Sequence, residues 1–231
     1  MFSITGKLKQ AEAKHAERNG IRALEQRFGQ SFDQLRALFA DGPADLEHAR
    51  LPSYPVAVLN RDIGINAFGL VYDIESAQFP RFLNLVRTMS EEGDWLCFRR
   101  EIEGHAATTL LRTESRFRGV SVKMLSNDPE LIRSIERERF NPAPPWIAMY
   151  EHGPFLFLSQ GEEQYWLDHI WTPFWRSLTI EEQGEFVRNA RSETRHYISD
   201  EQWRDWLIEL RGQDPRTRNL DDEAVAQLNW S

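Results

Sequence analysis

Residues 95–125 read WLCFRREIEGHAATTLLRTESRFRGVSVKML, and this stretch decides the fold class of the chain. Its apolar runs predict three strands, over Trp95–Glu101, Ala106–Thr113 and Gly119–Leu125. The links between the strands are short, a turn at Glu103–Gly104 and a loop over Glu114–Arg118. Because successive strands with short links pair in an antiparallel manner, the stretch predicts an antiparallel meander.

The segments around the meander supply further strands and helices. The sequence predicts strands over Tyr54–Leu59 and Ala67–Tyr72, a helix from Gln78 to about Met89, and a helix from Pro129 to about Phe140. Asp128 and Pro129 are typical of a helix start, as cap and first residue. We therefore predict an α+β fold, with an antiparallel sheet meander, covering helices, a leading N-terminal helix and a helical C-terminal third.

Residues 1–45 are predicted to form an N-terminal helical arm. The apolar stripe of Lys7–Asn19 is thin, so this part is expected to project from the body. Ile21, Leu24 and Phe28 form a better stripe, which predicts that the next part of the arm docks on the body.

Two further regions come after the arm, residues 46–145 as an α+β sheet core and residues 146–231 as a hairpin plus a helical acidic region. The proline-rich segment Asn141–Pro145 is the predicted joint, and the two regions are expected to pack as one unit. The hairpin is predicted from Trp146–Tyr150 and Phe155–Leu158. Tyr165–Trp175 is predicted to be a buried helix, and Thr179 and Ser199 open two capping boxes. Asp221–Leu228 is predicted as a last short helix.

Charge is distributed unevenly along the chain. The 231 residues contain 36 acidic and 28 basic side chains, a net charge of −8. Residues 151–231 contain 16 of the acids and 8 of the bases, so the whole net charge lies in this third. An acidic surface repels phosphates and attracts basic groups, so we expect another protein as the partner, and a basic one suits this charge. A solubility role explains the same charge.

The sequence also suggests a compartment. The first residues run directly into charged side chains, and no apolar stretch approaches the length that spans a bilayer. Cys97 is the only cysteine, which excludes an intramolecular disulfide and predicts a buried thiol in an apolar segment. We therefore expect a cytoplasmic protein of bacterial type without a membrane partner.

Motifs of known chemistry are missing from the sequence. It contains no P-loop, dinucleotide fingerprint, nucleophile elbow, kinase signature or paired-cysteine zinc site, so we expect no cofactor and lean against an enzyme. The best polar constellation is Glu151 and His152 with Asp168 and His169. Imidazole beside carboxylate could act as a general base, so these four define an alternative hydrolase-type or metal-dependent site, although no metal is predicted.

Two other surfaces are candidates for binding. One surface is basic and lies in the meander. Its residues, which could contact nucleic acid, are Arg112, Arg116, Arg118 and Lys123. This alternative is less favoured because cross-strand ion pairs explain the same residues.

The other surface belongs to the C-terminal third. Trp171 does not lie on the helical face that Trp166, Ile170 and Phe174 form. The residues predicted to bind a partner are Trp171, Trp230, Glu181, Glu182, Asp221 and Asp222. The leading hypothesis is a protein-binding protein, either immunity- or inhibitor-like or an assembly component.

Overall fold

A computed structural model describes residues 15, 18–41, 43, 45–86, 90–91, 96–102, 104–154, 160–228 and 230. The fold is α+β, as predicted, with six strands in the order β1-β2-β6-β5-β4-β3. The strands are β1 (Ala57–Leu59), β2 (Phe68–Glu75), β3 (Ser90–Glu91), β4 (Leu96–Ile102), β5 (His105–Arg116) and β6 (Gly119–Ser126). The helices are α1 (residues 18–28), α2 (Phe32–Leu38), α3 (Phe79–Val86), α4 (Pro129–Arg137), α5 (Pro145–Ala148), α6 (Glu162–Trp166), α7 (Thr172–Ser177), α8 (Ile180–Thr194), α9 (Asp200–Gly212) and α10 (Asp222–Gln227).

The predicted meander is present as β4, β5 and β6. β4 pairs with β5 in antiparallel register from Leu96↔Leu111 to Ile102↔His105. β5 continues to Arg116, so the predicted loop over Glu114–Arg118 is wrong. The chain reverses instead through two residues, Phe117 and Arg118, which both have positive φ. Positive φ at both central residues matches the twist of the strands they join, which explains why the turn can be this tight.

The chain divides into two compact units. Unit 1 contains Met1–Tyr72, Gln78–Glu114 and Ser121–Arg139, and unit 2 contains Asp73–Ala77, Ser115–Val120 and Phe140–Ser231. Both units are discontinuous in sequence, whereas the predicted ranges 1–45, 46–145 and 146–231 are contiguous. Unit 2 thus combines the C-terminal helices with the tip of the β5–β6 hairpin.

The N-terminal helices contribute to the core of unit 1. Leu24 and Phe28 of α1 and Leu35 of α2 are buried in one apolar cluster, which also contains Cys97 and Leu110 of the sheet. Ser31 forms a capping box with Gln34 at the start of α2. The second part of the arm therefore docks on the body, as its apolar stripe predicted. Cys97 is a buried free thiol, also as predicted. Of the projecting segment Lys7–Asn19, residues 7–14 and 16–17 lie outside the described residues.

The predicted hairpin after the proline-rich joint is wrong in its first arm. Pro145–Ala148 forms a helical turn and Tyr150–His152 forms a 3-10 turn. Pro144 and Pro145 lie at the helix start, where proline is well tolerated, and a short apolar run does not distinguish a strand from a helix. The second arm, residues 155–158, lies outside the described residues.

The core of unit 2 is a cluster of aromatic rings. Among the fully buried side chains are Trp146, Trp166, Trp171 and Trp175, and Trp203, Trp206 and Trp230 are each at most 4% exposed. The expectation that Trp171 and Trp230 form a contact surface is therefore wrong. Between α6 and α7, Leu167–Trp171 is a π-helix. A π-turn bonds residue i to residue i+5, which returns Trp171 to the face of Trp166, and their rings stack at 6.2 Å.

Within the described residues, no helix is both long and apolar enough to span a bilayer.

A buried polar network links the helices of unit 2. Asp214, 1% exposed, accepts hydrogen bonds from Arg216 and from Gln183 Nε2 at 2.8 Å. Arg216 Nη2 also donates to the carbonyl oxygens of Arg176 and Leu178 at 3.2 and 2.9 Å. Burial alone would raise the pKa of Asp214, but the hydrogen bonds from Arg216 and Gln183 and the charge of Arg216 outweigh it and lower that pKa to about 2.

We predict that Trp171→Ala lowers the free energy of unfolding by about 3–5 kcal/mol, because it leaves a cavity among aromatic rings. Urea denaturation followed by circular dichroism measures the change. Tyr165→Ala is the control from the preceding helix, because Tyr165 is 45% exposed, and it should stay within about 1 kcal/mol of the parent. Equal losses in both variants would contradict a core role for Trp171.

A second prediction concerns acid stability. A pKa lowered from 3.8 to about 2 means that the unfolded chain binds the proton of Asp214 more tightly than the folded chain. Its stabilisation, about 2 kcal/mol, is complete above pH 4 and is lost as the pH falls towards 2. Urea titrations over this range should show that Asp214→Asn loses this part of the pH dependence. The exposed Asp205→Asn should retain it, and a parent-like slope in Asp214→Asn would refute the assignment.

Candidate functional site

Unit 2 contains a surface cavity of about 250 Å³ at the tip of the β5–β6 hairpin. We call it the hairpin-tip cavity, and its lining residues are Phe117, Arg118, Ala148, Met149, Tyr150, Glu151, His152 and Glu163. They come from the hairpin turn, the end of α5, the 3-10 turn and α6. Two of the four residues of the predicted polar site, Glu151 and His152, are therefore in this cavity.

The hairpin turn carries backbone strain. Phe117 has φ 46° and Arg118 has φ 57°, in the left-handed region that glycine and asparagine occupy most readily. Each bulky residue there costs roughly 1–2 kcal/mol relative to the right-handed region. Strain of this kind is concentrated at functional sites, so the two side chains are the first candidates for a role in binding.

Buried contacts hold the turn in this conformation. The Phe117 ring lies 5.5 Å from the ring of Trp166. Trp166 Nε1 donates a hydrogen bond of 2.9 Å to Asp73, which is 2% exposed. Arg116, next to the turn, donates to the same carboxylate at 3.3 and 3.4 Å. The turn is therefore fixed from two sides, by the ring contact and by the ion pair.

Arg118 lines the cavity and contacts two of its other lining residues. Its guanidinium carbon is 5.7 Å from the centre of the Tyr150 ring, and Nη2 is 3.4 Å from Glu151 Oε1. Arg118 and Glu151 have side chains 53% and 83% exposed, so their ion pair contributes little to stability. Ser76 Oγ donates to the Arg118 carbonyl at 3.1 Å and so fixes its backbone.

An exposed tyrosine pair continues the cavity surface. The rings of Tyr150 and Tyr197 are 6.5 Å apart, and they are 51% and 48% exposed. The pKa of Glu75 is raised, mainly by burial and also by the negative charge of Glu193. The pKa of Tyr197 is raised by burial and by the charges of Glu193 and Glu75. Burial is the largest cause of both shifts, and the negative charge of Glu193 is a smaller contribution that the two groups share.

His152 is positioned by a carboxylate, as the sequence suggested, although the carboxylate is a different one. Its Nε2 lies 3.4 Å from Glu163 Oε1. Asp168 and His169 are exposed on the π-helix and do not line the hairpin-tip cavity. Asp168 accepts a hydrogen bond from Gln164 at 2.8 Å, and His169 packs on the Tyr165 ring at 4.5 Å. The structure thus brings together one half of the predicted four-residue site.

Metal binding has no ready ligand set in the described part of the chain. Within it, no three His, Cys, Asp or Glu side chains are grouped so that they could hold a metal ion. Glu151, His152, Asp168 and His169 therefore do not form the alternative metal site.

The basic residues of the meander are engaged inside the protein. Lys123 pairs with Glu114 at 2.8 Å across the two strands, and Arg116 and Arg118 pair with Asp73 and Glu151. Arg112 donates to the carbonyl oxygens of Gln26 and Arg27 at 3.4 and 3.2 Å. Arg116 and Lys123 are paired with carboxylates at side chains that are only 23% exposed, which weakens that alternative, whereas the Arg118 pair is exposed.

The acidic residues proposed for partner binding differ in availability. Glu181 is exposed in the first turn of α8. Glu182 accepts a hydrogen bond from Thr179 N at 2.8 Å in the capping box, and Asp221 caps α10 by accepting from Ala224 N at 2.9 Å. Charge reversal at Asp221 would remove the cap of α10, and charge reversal at Glu182 would remove one half of the capping box of α8, so each would cost about 1 kcal/mol of stability. The side chain of Asp222 lies outside the described residues.

Sequence reasoning missed the tyrosines and three carboxylates of this site, Glu75, Glu163 and Glu193. Tyr150 falls in a segment predicted as a strand, and Glu75, Glu193 and Tyr197 carry no motif. One local signal could have identified the hairpin turn. Two bulky residues, Phe117 and Arg118, lie between two strand patterns, at positions where a two-residue hairpin turn usually has Asn-Gly.

Comparison with known proteins adds no relative. No protein-family model matches the chain, and neither curated proteins nor solved structures gave a similar protein. The chemistry of the site is defined by its own side chains, which are aromatic rings, carboxylates, one arginine and one histidine.

We predict that strain at the turn separates two substitutions of Arg118. Arg118→Gly and Arg118→Ala both remove the contacts with Tyr150 and Glu151, but only glycine adopts positive φ without steric conflict. The glycine variant should therefore have the higher free energy of unfolding, by about 1 kcal/mol. Urea denaturation of the two variants measures the difference. A glycine variant no more stable than the alanine variant would show that the turn is unstrained.

Proposed function

We propose that this chain acts by binding another protein, and that unit 2 receives a basic side chain of that partner at the hairpin-tip cavity. The observation that carries the proposal is the exposed Tyr150–Tyr197 pair within a surround of carboxylates. Tyrosine is enriched in binding hot spots because its ring brings a large contact area with few rotatable bonds.

The chemistry around the pair favours a cation. Glu75 and Glu193 provide the negative potential beside Tyr197, and Glu151 and Glu163 are in the cavity itself. An arginine or lysine of the partner would stack on a tyrosine ring and take a carboxylate from Arg118 or His152. Since the exchanged pairs lie at the surface, breaking them costs little.

The net charge of the C-terminal third adds a long-range contribution. A basic partner would be attracted over several ångströms before contact, which raises the association rate. Concrete forms of this function are an immunity- or inhibitor-like protein and an assembly component of a larger complex. We expect the binding to take place in the cytoplasm, on the sequence argument from the single cysteine.

The test uses two synthetic peptides that differ only in having arginine or citrulline, its neutral isostere, at two positions. Calorimetry with the full chain should give at least about fivefold tighter binding of the arginine peptide, which corresponds to roughly 1 kcal/mol. Tyr150→Ala and Glu193→Gln should each reduce that preference. Glu185→Gln is the matched control, because Glu185 is also an exposed glutamate of α8.

Salt provides an independent measure in the same experiment. Exposed charges are screened beyond about 8 Å at physiological ionic strength, so added salt should slow association more than it speeds dissociation. Equal binding of the arginine and citrulline peptides, or equal effects of the α8 substitutions, would reject the cavity as the binding site.

A further inference from the structure

Unit 2 has a second concave surface, a groove of about 260 Å³ between α9 and α10. Its walls include Arg204, Leu207, Ile208 and Arg211 of α9, and Val225 and Leu228 at α10. We call it the α9–α10 groove. It shares no residue with the hairpin-tip cavity, so a role for this groove does not depend on the function proposed for that cavity.

The residues that α9 contributes to the groove form a second stripe along this helix, beside the stripe that faces the core. Trp203, Trp206 and Leu210 are buried and form the first stripe. Arg204, Leu207, Ile208 and Arg211 come at i, i+3, i+4 and i+7, which places them together on an adjacent face. Ile208 is 55% exposed, a large apolar side chain that the fold of this chain leaves uncovered.

The arginines of unit 2 differ in whether a carboxylate pairs with them. Arg191 and Arg216 each pair with an aspartate. Arg204 and Arg211 make no ion pair with any residue that the structure describes, although residues 151–231 have twice as many acids as bases. The groove therefore presents positive charge at both ends and apolar surface between, on a unit that is otherwise acidic.

We propose that the α9–α10 groove binds an amphipathic helix of a partner protein that carries two acidic side chains two turns apart and apolar side chains between them. Seven residues of α-helix rise about 10.5 Å, so the spacing of Arg204 and Arg211 equals the spacing of acids at i and i+7 on the incoming helix. Apolar side chains at i+3 and i+4 of that helix would cover Leu207 and Ile208. Arginine forms bidentate hydrogen bonds with carboxylates, which favours glutamate or aspartate at both ends.

Charge decides against two other occupants. A second copy of this chain cannot use the same stripe, because arginine would face arginine. A helix with basic side chains at the same spacing would place like charges opposite each other at both ends of the groove. The two surfaces of unit 2 therefore select partners of opposite charge.

The experiment uses a charge swap with two designed probe peptides. Both are alanine-based helices with leucine at i+3 and i+4, and they differ in having glutamate or lysine at i and i+7. Fluorescence anisotropy with the full chain should show at least tenfold tighter binding of the glutamate peptide. Arg204→Glu with Arg211→Glu should reverse the preference, so that the lysine peptide binds more tightly by a similar factor.

Two further variants keep the result interpretable. Arg195→Glu with Arg218→Glu makes the same change in net charge at exposed positions outside the groove and should leave the preference for the glutamate peptide unchanged. Ile208→Ser should weaken both peptides at least threefold while circular dichroism stays unchanged, because its side chain is mostly exposed. The proposal fails if the wild-type chain does not distinguish the peptides, if the control pair shifts the preference as much as the groove pair, or if Ile208→Ser has no effect.

Discussion

The carboxylate of Asp73 is the point on which the tip of the hairpin depends. It is almost fully buried, and it accepts hydrogen bonds from Arg116 beside the turn and from Trp166 of α6. A buried charge is tolerated only when it is paired and hydrogen-bonded, so these two partners are fixed relative to β2. Since Phe117 packs on the same tryptophan, the strained turn follows from the arrangement around one side chain. The position of Arg118 in the cavity wall therefore depends on the hydrogen bonds of Asp73.

Local patterns were sufficient for much of the fold. The strands of the meander and the capping boxes at Thr179 and Ser199 are set by neighbours in sequence, and the structure confirms them. Trp171 shows where such patterns fail. Its burial depends on a π-turn, which changes the helix phase, and the apolar residues of the segment do not reveal it because they suit either helix. The prediction for the segment of Tyr150 failed for a related reason, since a short apolar run suits a strand and a helical turn equally.

The candidate site was only half predictable for a physical reason. Glu151 and His152 are adjacent in sequence, so their shared location needs no tertiary information. Glu163, Glu193 and Glu75 join them from three different elements, and only the tertiary fold brings them near one tyrosine pair. The electrostatic potential at a site of this kind is the sum of contributions from residues distant in sequence. The net charge of a segment indicates the sign of that potential but does not show where on the surface it lies.

Net charge also conceals how the individual charges are used. Several carboxylates of the C-terminal third serve the fold: Asp214 is paired with Arg216 in a buried network, and Glu182 and Asp221 accept hydrogen bonds at helix starts. The remaining surface charge is heterogeneous, with carboxylates around Tyr150 and Tyr197 and unpaired arginines along α9 among the described residues. A binding protein gains specificity when each surface repels the ligand of the other. The uneven charge of unit 2 is therefore better understood as two local potentials than as one acidic face.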